Sequence, residues 1–168
     1  MTFSDELLNT LLTSEEHLSR QLVHDVEQIF ATMVGVGGLH CSPIEMEAVT
    51  RFENSISSLV GLAGMYTGMV SLHMPIAFAA KVTGLMLKKD VTEEAESVND
   101  AICEIANMIA GSVKNQLSSS GMDICVSMPS AIEGRQYSIS LGHKSEQFAL
   151  RFTLDDGWFV VAVAIGRD

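Results

Sequence analysis

The amino-acid sequence predicts an α+β fold in which helices cover an antiparallel sheet. Three observations lead there: two long segments carry apolar residues at helical spacing, four later segments alternate apolar with polar residues, and glycine-containing turns punctuate both kinds. The elements run helix, strands, helix, helix, strands. The chain therefore reads as two halves roughly alike in order, although residue identity between them is too low to assert a repeat. With 168 residues, 47% of them apolar, one core and a single domain over 1–168 are expected.

Residues 1–12 read as a flexible or short helical lead. Thr13-Ser14-Glu15-Glu16 then offers a capping-box start at about residue 14, and Leu18, Leu22, Val26, Ile29 and Met33 recur at helical spacing until Gly35 ends the run. Beyond the glycines of 35–38, Ile44, Met46 and Val49 indicate a strand. Segments 55–63 and 69–74 flank Gly64-Met65-Tyr66-Thr67-Gly68, a glycine-bounded hairpin connection. Pro75 opens a short helix with Ile76, Ala79, Val82 and Leu85 along one side and Lys88-Lys89 at its negative end. Thr92 with Glu93, Glu94 and Glu96 starts the next helix, since carboxylates in a first turn oppose the positive end of the dipole. That helix runs to Leu117, and Ser118-Ser119-Ser120-Gly121 ends it. Four strands follow, carried by Ile124/Val126/Met128, Tyr137/Ile139/Leu141, Phe148/Leu150/Phe152/Leu154, and Phe159 through Ile165, with Asp156-Gly157 joining the last two as a tight hairpin.

Charge and cysteine content exclude several classes. Twenty-one acidic against ten basic residues give a net charge of -11, which repels phosphate backbones, so nucleic acid is not an expected partner. Cys41, Cys103 and Cys125 contain no C-x-x-C pair and read as buried thiols in a reducing compartment. The start of the chain lacks a basic region followed by an apolar core, so export is not indicated and a cytoplasmic location is expected. No charged residue occurs from Asn54 to Ala80, and Gly64 and Gly68 form a G-x-x-x-G there. Ser57, Ser58, Thr67, Ser71, His73 and Pro75 break that stretch, which favours a buried hairpin plus helix over membrane insertion.

On a helical wheel, Val98, Ile102, Ile105, Ile109 and Val113 form one apolar stripe. Opposite them, Glu104 and Asn107 stand about 60° apart, with Gly111 one turn beyond Asn107. A carboxylate that pairs with a cation, a carboxamide that donates and accepts, and a bare backbone make a plausible docking edge. On spacing alone a solvated helix face is the favoured reading, and Glu96 with Asn99 repeats the spacing two turns earlier. Gly111 shifts the balance, because a mid-helix glycine costs about 1 kcal/mol relative to alanine.

The run Glu104-Ile105-Ala106-Asn107-Met108-Ile109-Ala110-Gly111, followed by Lys114, resembles the E-x-x-N helix signature of the CheC/CheX/FliY chemotaxis phosphatases. Gly121-Met122-Asp123-Ile124 and Met128-Pro129-Ser130 with Gly134 look like that family's strand after the helix, and Gly64 to Gly68 resembles its first-half hairpin. The likeness spans roughly Leu18 to Ile165. It implies a CheX-like fold and hydrolysis of the aspartyl phosphate on a CheY-type response-regulator receiver domain. Asn107 would orient water, Glu104 would pair with the receiver's lysine, and Gly111 and Lys114 would lie at the partner contact. No metal or cofactor of the chain's own is implied; the Mg2+ belongs to the receiver. Matching Gly35 to Gly111 puts Gln28 and Ala31 where Glu104 and Asn107 stand, so the first helix lacks the pair. That fits the one-site CheX pattern, in which the protein is a homodimer, and the end at Asp168 leaves no room for the further domain of flagellar-switch relatives. The apolar strands near the C-terminus are candidates for pairing across subunits. Two other readings remain open: a receiver-binding module without hydrolysis, and a structural subunit of a signalling assembly.

The other chemistry-bearing residues have plainer readings. His40, Cys41 and Glu45 lack a second cluster to complete a metal site, and Ser118 to Ser120 lacks a nucleophile elbow. His17 and His24, seven apart, mark the wet or subunit-facing side of the first helix, and the ten methionines read mostly as core filler.

Overall fold

Ser14 accepts a hydrogen bond from the His17 N–H at 3.1 Å and so starts the first long helix; this is a single side-chain cap rather than the Thr13–Glu16 box expected. The computed structural model describes residues 3–47, 49–118, 123–141 and 145–166. A short helix α1 (Asp5–Thr10) precedes α2 (Glu15–Ile29), which buries Leu18, Leu22, Val26 and Ile29 and continues as a π-turn over Phe30–Val34. Gly35, at φ 78, ends it in the left-handed region that glycine adopts at no steric cost. Met33 is only half-buried, because the π-turn brings Phe30 and Val34 to the core instead.

Strand β1 (His40–Ile44) comes next. Met46 lies in the loop after it, and Val49 begins β2 (Val49–Gly64), so the expected Ile44/Met46/Val49 strand is divided between two. The separating loop is held from far away: Gln147 Nε2 donates to the Met46 carbonyl at 3.0 Å. β2 and β3 (Thr67–Pro75) form the expected hairpin, and α3 (Ile76–Leu87) follows Pro75. Leu85, placed on the buried side of α3 by periodicity, is 42% exposed. Helix α4 (Glu96–Ser118) starts four residues later than Thr92, whose carbonyl instead accepts from the Ala95 N–H in a preceding turn.

Strands β4 (Ile124–Val126), β5 (Ser130–Ser140), β6 (Ser145–Leu154) and β7 (Gly157–Gly166) complete the sheet. β4 stops before Met128, which is 86% exposed. The β6–β7 turn is formed by Asp155 and Asp156, with Gly157 already paired to Leu154. The turn expected at Ser119, Ser120 and Gly121, together with Met122, lies outside the described residues, as do residues 1 and 2 of the lead.

The strands form one curled antiparallel sheet in the order β1-β6-β7-β3-β2-β4, with β5 also beside β2. Its centre is the β3–β7 pair, and each half lends an outer strand to the other half's hairpin: β1 joins β6, while β4 and β5 join β2. The C-terminal strands β6 and β7 are therefore interior, and their edges are already occupied within the chain. Among the described residues, β1 and β5 are exposed outer strands.

Helices α2, α3 and α4 pack on one face, over Ile56, Val60, Val70, Leu72, Met74 and the stacked rings of Phe30, Phe152 and Phe159. Two compositional expectations need correction. Among the described residues only Met74 is a fully buried methionine; Met33, Met46 and Met86 pack partly buried against apolar clusters, whereas Met65, Met108 and Met128 are exposed. Cys41 and Cys103 are half-buried and Cys125 is exposed, all as free thiols.

Candidate functional site on helix α4

The apolar stripe of α4 settles how the helix is turned. Val98, Ile102, Ile105 and Ile109 are fully buried and Val113 nearly so, which is what 3.6-residue periodicity requires of a helix laid on a sheet. Two polar ties add to the packing: Gln116 Nε2 donates to Asp25 Oδ2 on α2 at 2.8 Å, and Ser58 Oγ on β2 donates to Cys103 Sγ at 3.5 Å. Rotation about the helix axis is thus fixed on both flanks.

The outer face presents Asp100, Glu104, Asn107 and Met108 to solvent, with Gly111 and Lys114 partly accessible. Among the described residues, no hydrogen bond or ion pair within the chain engages the side chain of Glu104 or Asn107. The structure also separates the two E-x-x-N spacings. Asn99 turns toward the protein, with its Oδ1 buried and unpartnered, whereas Asn107 points outward beside Glu104. The first-half counterparts, Gln28 and Ala31, are exposed, and Ala31 falls in the π-turn that closes α2.

Chemically, the Glu104–Asn107 edge offers charge pairing and bidirectional hydrogen bonding but no nucleophile. The chain does contain a serine–histidine contact, which sequence reading missed. Ser57 Oγ lies 2.6 Å from His73 Nδ1 and 2.7 Å from the Tyr137 hydroxyl, and His73 Nε2 lies 2.8 Å from Ser71 Oγ. It sits on the sheet face away from the helices, beneath Phe52, whose ring stacks on His73 with centroids 4.5 Å apart. Ser57 and His73 are both fully buried, so no substrate reaches the pair, and a serine rather than a carboxylate faces the second ring nitrogen. Burial lowers the His73 pKa to about 4, leaving a neutral imidazole that donates from one nitrogen and accepts at the other. This network fastens strands together. Asn54, at φ 44, interrupts the side-chain alternation of β2 and brings Phe52 onto that face, a break with no sequence signal beyond the residue type.

Two further features lie away from α4. A groove of about 630 Å³ on the opposite sheet face is lined by Met46, Arg51, Arg151, Trp158 and Val160, with the Arg151 guanidinium 4.8 Å from the Trp158 ring centre. Among the described residues no group of three or more His, Cys, Asp or Glu side chains is placed to hold a metal ion, and His40, Cys41 and Glu45 do not converge. No helix among them is long and apolar enough to cross a membrane.

Comparisons with known proteins agree with this architecture. Residues 56–153 match the family described as chemotaxis phosphatase CheX. A chemotaxis protein CheX from Desulfovibrio desulfuricans is 27% identical, with a TM-score of 0.74 over 89% of this chain and 99% of that one. A CheC-like superfamily protein from Shewanella sp. PV-4 shares the fold at 19% identity and TM-score 0.76, covering 88% and 96% of the two chains. CheX in a CheX–CheY–BeF3–Mg2+ complex from Borrelia burgdorferi shares it at 21% identity and TM-score 0.71, covering 90% and 98%. A comparison with curated proteins finds no match.

Proposed function

The chain belongs to the CheX family of chemotaxis phosphatases, and on that premise we propose that it hydrolyses the aspartyl phosphate of a CheY-type receiver domain, using Glu104 and Asn107. The observation that carries this reading is the outward, unpartnered presentation of both side chains from a helix locked in place by its opposite face. The Borrelia complex, in which a protein of this fold is held with CheY, is in keeping with such a partner.

The chemistry asks little of the chain. An acyl phosphate is already labile, so acceleration requires a water held in line with phosphorus and a complex that holds still. In this reading Asn107 enters the receiver's site and orients the water through its carboxamide, much as a glutamine does in GTPases. Glu104 pairs with the receiver's active-site lysine and fixes the register of the two proteins. Gly111 and Lys114 lie where the partner contacts α4. The Mg2+ that neutralises the phosphoryl oxygens is the receiver's own, and the reaction takes place in the cytoplasm. A hundredfold acceleration corresponds to about 2.7 kcal/mol, within reach of one positioned hydrogen bond and an ordered water.

The test is the decay of phosphorylated receivers encoded near this chain, measured with wild type, Asn107→Ala and Glu104→Ala. Asn107→Ala is expected to retain binding and lose the acceleration, and Glu104→Ala to weaken both. An Asn107→Ala variant that matches wild type in rate while still binding would overturn the catalytic assignment of Asn107, and a wild type that binds without accelerating decay would leave a receiver-binding module in place of a phosphatase. A homodimer belongs to the same reading, with the exposed outer strands β1 and β5 rather than the interior β6 and β7 available for pairing. Light scattering at the monomer mass of 18.1 kDa would remove it.

A further inference from the structure

Several glycines in this chain are imposed by close packing. A Cβ built on Gly64, Gly68 or Gly157 would stand 2.1, 2.5 or 2.0 Å from the nearest atom of the Asp123 backbone, the Ala164 backbone or the Phe78 ring, so the fold itself excludes a side chain there. Gly111 is the opposite case. It lies well inside the 23-residue helix α4, its φ is that of any helical residue, and a Cβ there would meet nothing within 4 Å. Neither packing nor backbone conformation asks for glycine at this position, yet glycine weakens a helix interior relative to alanine.

We propose that Gly111 is a positioning residue that sets how deeply Asn107 enters the partner, an inference that rests on the phosphatase reading above. Asparagine is short. Its amide nitrogen extends about 3.5 Å from its Cα, two carbon–carbon bonds and one carbon–nitrogen bond. For such a side chain to reach a phosphoryl group seated in another protein, the helix flank beside it must come into van der Waals contact with the partner's surface. Gly111 occupies that flank, one turn and about 6 Å along the axis from Asn107. A methyl group there projects about 1.5 Å beyond Cα and holds the two surfaces apart before the amide arrives. Displacements near 1 Å in a positioned reactant lower rates by up to about a hundredfold.

The consequence is that stability and activity move in opposite directions. Gly111→Ala is expected to raise Tm by about 2–4 °C, as removal of a mid-helix glycine should in a domain of this size, while kcat for receiver dephosphorylation falls about tenfold to a hundredfold. Gly111→Leu serves as the second step, because leucine is nearly as good a helix former as alanine and projects further. It should keep the raised Tm, lower kcat again and raise KM. Decay of a receiver phosphorylated with acetyl phosphate and thermal unfolding are measured on the same proteins, with Asn107→Ala alongside. Wild-type kcat and KM in both Gly111 variants, with Asn107→Ala inactive, overturns this inference alone. Lower Tm together with lost activity also overturns it, since that result marks Gly111 as a structural residue. Full activity in Asn107→Ala removes Asn107 from the reaction and this inference with it.

Discussion

Replacing His73 by glutamine should flatten the acid limb of this protein's stability curve. The imidazole is 1% exposed, bonded at both nitrogens to serine hydroxyls at 2.6 and 2.8 Å, and covered by Phe52. Burial lowers its pKa from the ordinary 6.5 to about 4. Between those values the unfolded chain takes up a proton that the folded chain refuses, so the stabilisation is fully present above pH 6.5 and disappears as pH falls toward 4. At about 1.4 kcal/mol per pH unit across that window, wild type should lose about 2 kcal/mol between pH 7.5 and pH 5 through this one group. Tyr137, which shares Ser57, has its pKa raised by burial and stays neutral throughout. Urea unfolding of wild type and His73→Gln at both pH values isolates the effect, because the carboxylate contribution common to the two proteins cancels in the difference. The variant should be less stable at pH 7.5 yet lose about 2 kcal/mol less on acidification. An identical pH response in the two proteins would refute the neutral, buried imidazole.

Gly157→Ala should destabilise by about 1–3 kcal/mol, read in urea unfolding, because the added methyl would stand 2.0 Å from the Phe78 ring, itself buried; an unchanged midpoint would contradict that packing. Installing the missing pair in the first helix as Gln28→Glu with Ala31→Asn, in an Asn107→Ala background, should not restore receiver dephosphorylation. Recovery of activity would show that residue identity alone separates the two helices.

Most of α4 was legible in sequence, since a stripe of β-branched residues every three or four positions has one way to lie on a sheet, and the outward direction of Glu104 and Asn107 follows from it. Its start was not. Thr92 with Glu93, Glu94 and Glu96 has the composition of a helix N-terminus, but the chain spends 92–95 on a turn, and one turn and the first turn of a helix share their residue preferences. The β1–β2 boundary failed for a different reason: the apolar residues Ile44, Met46 and Val49 straddle the break without a glycine between them, and the loop is held by Gln147, about a hundred residues away. The Phe52–Ser57–His73–Tyr137 network is likewise assembled by strand register across β2, β3 and β5, which periodicity within one segment does not encode. Leu85 and Met128 show the limit of periodicity itself, because it assigns phase without knowing where the partner layer stops.

The asymmetry between the halves lies in backbone as well as in residue type. Both halves supply a long helix packed on the same sheet face, and both helices carry a glycine after the position of the pair. In α2 that glycine is a terminator: the π-turn over Phe30–Val34 widens the last turn around Ala31, and Gly35 at φ 78 stops the helix at once. In α4 the glycine is interior, and the helix continues from Gly111 to Ser118 with Val113 and Leu117 buried beneath it. A partner laid on α4 therefore meets a continuous rigid flank with one bare position, while a partner laid on α2 would meet a helix end and the loop that leaves it. If the reaction needs little beyond a water held in line, orientation is the scarce quantity, and orientation is supplied by the element anchored on both sides of its active face. In this chain that element is α4, fixed to α2 through Asp25 and to the sheet through Ser58.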